Sequence, residues 1–123
     1  MMRNLVLALV AATAVAAAPA AERPPLAACP ANALGTAMGS GGATSRPFYA
    51  DVPFEVQWSL TDEPLTFMVW LNTKAGQFKV LMANQMSSNP GSAYYPKPGD
   101  YYLTVNTAFR NKGHWRVCVV PAP

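Results

Sequence analysis

The sequence predicts an all-β fold: a small antiparallel β-sandwich, jelly-roll or Ig-like, preceded by an irregular N-terminal arm. Three observations predict it. From Phe48 onward, short runs of alternating apolar and polar residues recur between clusters of Gly, Pro, Asn and Asp. No stretch beyond the N-terminal segment shows the apolar period of an amphipathic helix. Two cysteines, Cys29 and Cys118, nearly bracket the part after that segment and point to a covalent tie between its ends.

The N-terminal segment reads as an export signal. Met1, Met2 and Arg3 form a short basic start, and Leu5 to Ala18 is an Ala-, Val- and Leu-rich run. That run is shorter than the roughly 20 apolar residues a membrane-spanning helix needs. Small residues at Ala18, Ala20 and Ala21 suit cleavage after Ala20 or Ala21, so residues 1–21 are expected to be removed. One domain of about 100 residues remains, large enough for a single modest core. It has no second apolar span, so no transmembrane segment is expected in the mature chain.

Residues 22–47 are rich in Ala, Pro, Gly and Ser, with Gly39-Ser40-Gly41-Gly42 at their centre. Such a composition buries little apolar surface and reads as an irregular arm pinned at Cys29. The sandwich itself is expected over 48–121. Phe54 to Leu60 alternates strictly, with Phe54, Val56, Trp58 and Leu60 on one face. Leu65 to Leu71 is apolar on both faces, which suits a central strand. Asn72 to Gly76 reads as a hairpin connection, and Gln77 to Met82 as the next strand, with Phe78, Val80 and Met82 sharing a face. Ala93-Tyr94-Tyr95 is a short edge strand, because Pro96 and Pro98 follow. Tyr101 to Phe109 alternates again, with Tyr101, Leu103, Val105 and Phe109 inward. Arg110 to Gly113 reads as a tight turn that pairs this strand with the last one, His114 to Val120. On that last strand Trp115, Val117 and Val119 share the core face. Cys118 therefore points away from the core, and a bridge to Cys29 would lay the arm across the outside or edge of the strand.

A competing reading exists for Cys29. Leu26-Ala27-Ala28-Cys29 resembles a bacterial lipobox, in which the cysteine carries a lipid anchor. However, Glu22, Arg23, Pro24 and Pro25 separate it from the apolar run, and lipidation would leave Cys118 unpaired. The disulfide is the expectation, with a periplasmic or secreted location; a lipoprotein anchored at Cys29 is the alternative.

Charge and motif exclude several function classes. Nine Lys and Arg stand against six Asp and Glu. Removal of Arg3 leaves eight scattered basic residues without a nucleic-acid-binding motif, so no nucleic-acid partner is expected. A single histidine, His114, sits beside a turn, and no Gly-x-Ser-x-Gly elbow is present. One His and two paired cysteines make no zinc site, and no spacing among the acids selects a catalytic pair. The chain is therefore expected to be non-catalytic, with no metal and no cofactor.

Pro98-Gly99-Asp100-Tyr101-Tyr102-Leu103-Thr104-Val105, then a turn and Trp115-Arg116-Val117, resembles the closing segment of small exported bacterial jelly-roll-like sandwiches. It is similar to the accessory domains of the pre-peptidase C-terminal type over about residues 50–120. That resemblance implies an accessory, adhesive or ligand-binding role and transfers no catalytic residue.

The aromatic residues supply the candidate binding site. Tyr94, Tyr95 and Tyr102 cluster in sequence with Pro96 and Pro98, and exposed aromatic rings anchor protein partners or stack on sugars. The expected function is binding in the cell envelope to a protein partner. A carbohydrate-binding module is the first alternative, and a periplasmic hydrolase inhibitor or small enzyme the second. Trp70 is out of phase with Phe67, Val69 and Leu71 and belongs on an outer face, exposed or covered by the N-terminal arm.

Overall fold

A computed structural model of the protein describes residues 28–76 and 78–123. The expected signal segment, 1–21, and the first two residues of the lipobox-like stretch lie outside the described residues. Nine strands form two antiparallel sheets, and there is no helix among the described residues. In chain order they are β1 (Gly35–Gly39), β2 (Ala43–Thr44), β3 (Phe48–Ala50), β4 (Phe54–Leu60), β5 (Pro64–Thr73), β6 (Lys79–Gln85), β7 (Gly91–Tyr95), β8 (Gly99–Phe109) and β9 (Trp115–Pro121).

The smaller sheet has the order β1-β9-β4-β7, and the larger runs β2-β8-β5-β6, with β3 also paired to β8. The alternation seen in the sequence sets which side chains meet. Phe54, Val56 and Trp58 from β4 and Trp115, Val117 and Val119 from β9 are buried on one inner face. Phe67, Val69 and Leu71 from β5 and Tyr101, Leu103 and Val105 from β8 are buried on the other. They belong to one core cluster, as two facing sheets with period-2 patterns require. The small β-sandwich expected from the sequence is thus the fold.

Both buried indoles on the smaller sheet find a hydrogen-bond partner at a sandwich edge. Trp115 Nε1 donates to the Gly41 carbonyl at 2.8 Å, fixing the chain where it passes from β1 to β2. Trp58 Nε1 donates to Gln85 Oε1 at 3.1 Å, and Gln85 Nε2 donates to the carbonyls of Ser87 (2.9 Å) and Asn89 (2.7 Å). That relay fixes the passage from β6 to β7. A buried donor left unpaired costs about 1–3 kcal/mol, so each edge is held by a group that has no better alternative.

Three sequence expectations need correction. First, β8 and β9 do not pair: β8 bonds to β2, β3 and β5, and β9 bonds to β1 and β4. The segment between Phe109 and Trp115 crosses from one sheet to the other. Gly113 lies against the Phe109 ring at a distance no Cβ would tolerate, which lets the chain fold over that ring. Sheets pack about 10 Å apart, a span five residues cover as readily as a hairpin. Second, the arm is not irregular throughout, because β1 and β2 join the two sheets through β9 and β8. Third, β6 runs to Gln85 with a register shift opposite Val69/Trp70, so Met82 and Ala83 are both buried in succession. Phe78 precedes the strand and is exposed.

Cys29 and Cys118 are disulfide-bonded, with Cα atoms 5.6 Å apart. Cys118 faces outward on β9, so the bridge draws residues 28–30 onto the outer face of the smaller sheet, beside Gln57, Ser59 and Arg116. The sulfur a lipid anchor needs is occupied in this structure. The bond is compatible with an oxidising, extracytoplasmic compartment. No helix among the described residues is long and apolar enough to cross a membrane.

Candidate binding face

Strand alternation that buries Phe67, Val69 and Leu71 turns Met68, Trp70 and Asn72 to the outer face of the larger sheet. The register then sets their neighbours. Leu81 and Thr104 flank Trp70, and Lys79 and Tyr102 flank Asn72. Tyr49 on β3 pairs with Asp100, one outward position before Tyr102 on β8. Tyr49, Tyr102 and Trp70 thus stand on three adjacent strands, each one outward position further along. Such diagonal neighbours are about 7–8 Å apart. Leu81 continues the strip to the edge strand. Tyr49 is 61% exposed and Leu81 39%. Tyr102 and Trp70 are half-buried.

Beside the strip lies a polar anchor. Asn72 is buried, and its amide nitrogen donates to Thr104 Oγ1 at 3.0 Å and to the Tyr102 carbonyl at 3.3 Å. Buried amides persist where such bonds are made. Here they tie β5 to β8 on the same face, next to Trp70 and Tyr102. Above the strip, Lys79 Nζ sits 4.8 Å from the centroid of the Trp70 ring. The ammonium is attracted by the electron-rich face of the indole and occupies it.

The three tyrosines expected to act together do not share a surface. Tyr94 pairs with Glu55 and is exposed on the outer face of the smaller sheet. Tyr95 pairs with Phe54 and turns inward, its ring centroid 5.7 Å from those of both Phe54 and Tyr101. Tyr102 stands on the opposite sheet. Consecutive strand residues face opposite ways, which separates Tyr94 from Tyr95. Tyr102 gains Tyr49 and Trp70 as diagonal neighbours instead, with Leu81 beyond Trp70. The phase of Trp70 pointed to this face; Tyr49 also had a signal, since it lies between the buried Phe48 and Ala50. The arm does not cover Trp70 through its described residues 28–30, because the disulfide holds them on the other sheet.

The rival arrangements named by the sequence take these forms. His114 is exposed; its N–H donates to Thr61 Oγ1 and its carbonyl accepts from the Thr61 N–H, both at 2.9 Å. The hollow beside it is lined by Ser40, Phe109, Asn111, Lys112 and Gly113, with no carboxylate among these residues. The segment from Ser87 to Pro98 is tied down over much of its length: β7 lies in the smaller sheet and Gln85 holds Ser87 and Asn89.

No protein-family model matches this chain, and no curated protein matches it significantly.

Proposed function

We propose that the mature chain is an exported, non-catalytic binding domain that docks a protein partner on the outer face of its larger sheet. The Ala-rich N-terminal segment and the Cys29–Cys118 bond support the exported setting. The strip of Tyr49, Tyr102, Trp70 and Leu81 supports the face. Tryptophan and tyrosine are the residue types enriched in interface hot spots, and Met68 beside them is a type enriched at interfaces.

The observation that carries the protein reading over the sugar reading is Lys79 on the Trp70 ring. A sugar stacks on a bare ring face. Here the central ring already holds a cation, and Leu81 and Met68 make the surrounding surface uneven. A protein surface accommodates such relief with side chains of its own.

The test is affinity capture from envelope extract with the disulfide-bonded mature domain, in wild-type, Leu81→Asp and Tyr94→Ala forms. A partner retained by wild type and Tyr94→Ala and lost by Leu81→Asp supports the reading. Equal capture by folded Leu81→Asp removes this face. Glycan-array binding that disappears with Trp70→Ala replaces the protein reading with the carbohydrate one.

A further inference from the structure

Residues 73–75 and 78, where β5 gives way to β6, and residues 97–101 line an open cavity of about 550 Å³ at one end of the sandwich. This volume lies in the range of small-molecule sites. Its walls combine features that no part of the docking reading uses. Phe78, at the hairpin, is 42% exposed and lines the cavity together with Pro98. Lys74 and Lys97 stand on the two sides, and Asp100 is the one carboxylate among the described lining residues. Both lysines are exposed side chains on short loops. The lining therefore carries a net charge of one positive unit beside an aromatic wall.

The proline segment and the backbone at Lys74 are held in place before any ligand arrives. Pro96 and Pro98 fix φ on either side of Lys97. From below, Tyr101 Oη donates to the Lys97 carbonyl at 2.6 Å. The Tyr101 ring is itself packed against Phe48, Phe54 and Tyr95. The Lys74 N–H donates to the Asp100 carbonyl at 2.9 Å and ties the hairpin to the start of β8. Little backbone ordering entropy would be lost on binding, so the cost is confined to the two lysine side chains. The sequence pointed to this end of the molecule through its prolines, but the ring it exposes here is Phe78. The tyrosines Tyr95 and Tyr101 support the proline segment from inside.

We propose that this cavity takes a small organic monocarboxylate with a flat apolar body. The carboxylate lies between the Lys74 and Lys97 ammoniums, and the body rests on Phe78 and Pro98. Asp100 sets the charge limit: it repels a second negative charge, so a phosphate or dicarboxylate is disfavoured, and it accepts a hydrogen bond from an N–H or O–H on the ligand. Lys74, Lys97 and Phe78 take no part in the docking strip, whose margin the cavity meets where Asp100 pairs with Tyr49.

The experiment titrates the ¹⁵N-labelled, disulfide-bonded mature domain with indole-3-acetate, its neutral isostere indole-3-acetamide, and inorganic phosphate, read by amide chemical shifts. Saturable shifts at Lys74, Gly99 and Asp100 with the acid are expected. Indole-3-acetamide, and each of Lys74→Met and Lys97→Met with the acid, should bind about tenfold more weakly, the worth of one charge-assisted hydrogen bond. Phe78→Ala should weaken acid and amide alike. Since both lysines are exposed, the variants should keep the wild-type spectrum away from the cavity. Equal affinity for acid and amide overturns the proposal. So do phosphate binding as tight as that of the acid, undiminished affinity in the Lys74→Met/Lys97→Met double variant, or the absence of saturable shifts at millimolar acid.

Discussion

Gly91→Ala tests the edge of the sandwich where β6 passes to β7. Gly91 pairs with Trp58 across β7 and β4. A Cβ built at residue 91 would stand 2.6 Å from Trp58 Cζ2 and 2.8 Å from Cε2. The ring cannot simply retreat. It is only 9% exposed, and its Nε1 is bonded to Gln85, which in turn holds Ser87 and Asn89. Overpacking of this kind costs about 1–3 kcal/mol, and loss of the indole bond about 0.5–1.5 more. Replacing glycine in a strand returns about 0.5–1 kcal/mol. The net expectation is a loss of about 2 kcal/mol. For a domain of this size that lowers Tm by roughly 10 °C and the urea midpoint by about 1 M. Urea unfolding followed by fluorescence and circular dichroism measures it. The same substitution in a Trp58→Phe background, where the clashing Cζ2 and Nε1 atoms are gone, should lose most of its penalty, giving a coupling above about 1 kcal/mol. An unaltered midpoint in Gly91→Ala, or an equal loss in both backgrounds, would refute the assigned contact.

Other outcomes follow from the same structure. Replacing both Cys29 and Cys118 by Ala should cost roughly 4–5 kcal/mol on loop-entropy grounds, since the bond spans 89 residues; a melting temperature insensitive to reducing agent would contradict this. Trp115→Ala removes a fully buried ring and its bond to Gly41 and should cost about 3–5 kcal/mol, read by denaturant unfolding. Burial, together with the neighbouring Tyr95, raises the Tyr101 phenol above its ordinary value of 10.0. The folded state thus holds that proton more tightly. Stability should be unaffected by this group below pH 10 and fall as pH rises toward the folded value; Tyr101→Phe should flatten that alkaline slope in a pH series of unfolding midpoints.

The legible part of the fold was the part written in side-chain period. Phe54-Val56-Trp58 and Trp115-Val117-Val119 each show which face is buried, because a wrong phase would put a tryptophan in water. That phase also placed Cys118 outside and Trp70 on an outer face. Pairing was less legible. The run from Arg110 to Gly113 is polar and ends in glycine whether the chain turns back on the same sheet or crosses to the other. What distinguishes the two is the set of distant strands that β8 and β9 each pair with, which no local turn rule reports. β1 and β2 escaped notice for a related reason: they are held mainly by backbone bonds to β9 and β8, which composition does not register. The binding face was half legible. Trp70 and Tyr102 were marked by phase, but their union with Tyr49 and Leu81 depends on which strands are neighbours. Asn72 looked like a loop residue until β8 supplied its partners.

The bond between Cys29 and Cys118 also determines how the domain would respond to tension. Pull the chain at residue 28 and at residue 121, and the load passes through the sulfur bridge directly into the last few residues of β9. The 89-residue span between the cysteines is short-circuited. At roughly 3.3–3.6 Å per extended residue, about 300 Å of chain stays locked behind one covalent link. Only Val119 to Pro121 can peel away from β1 and β4. The larger sheet, with its aromatic strip, lies outside the path of the force and keeps its shape while the ends are strained.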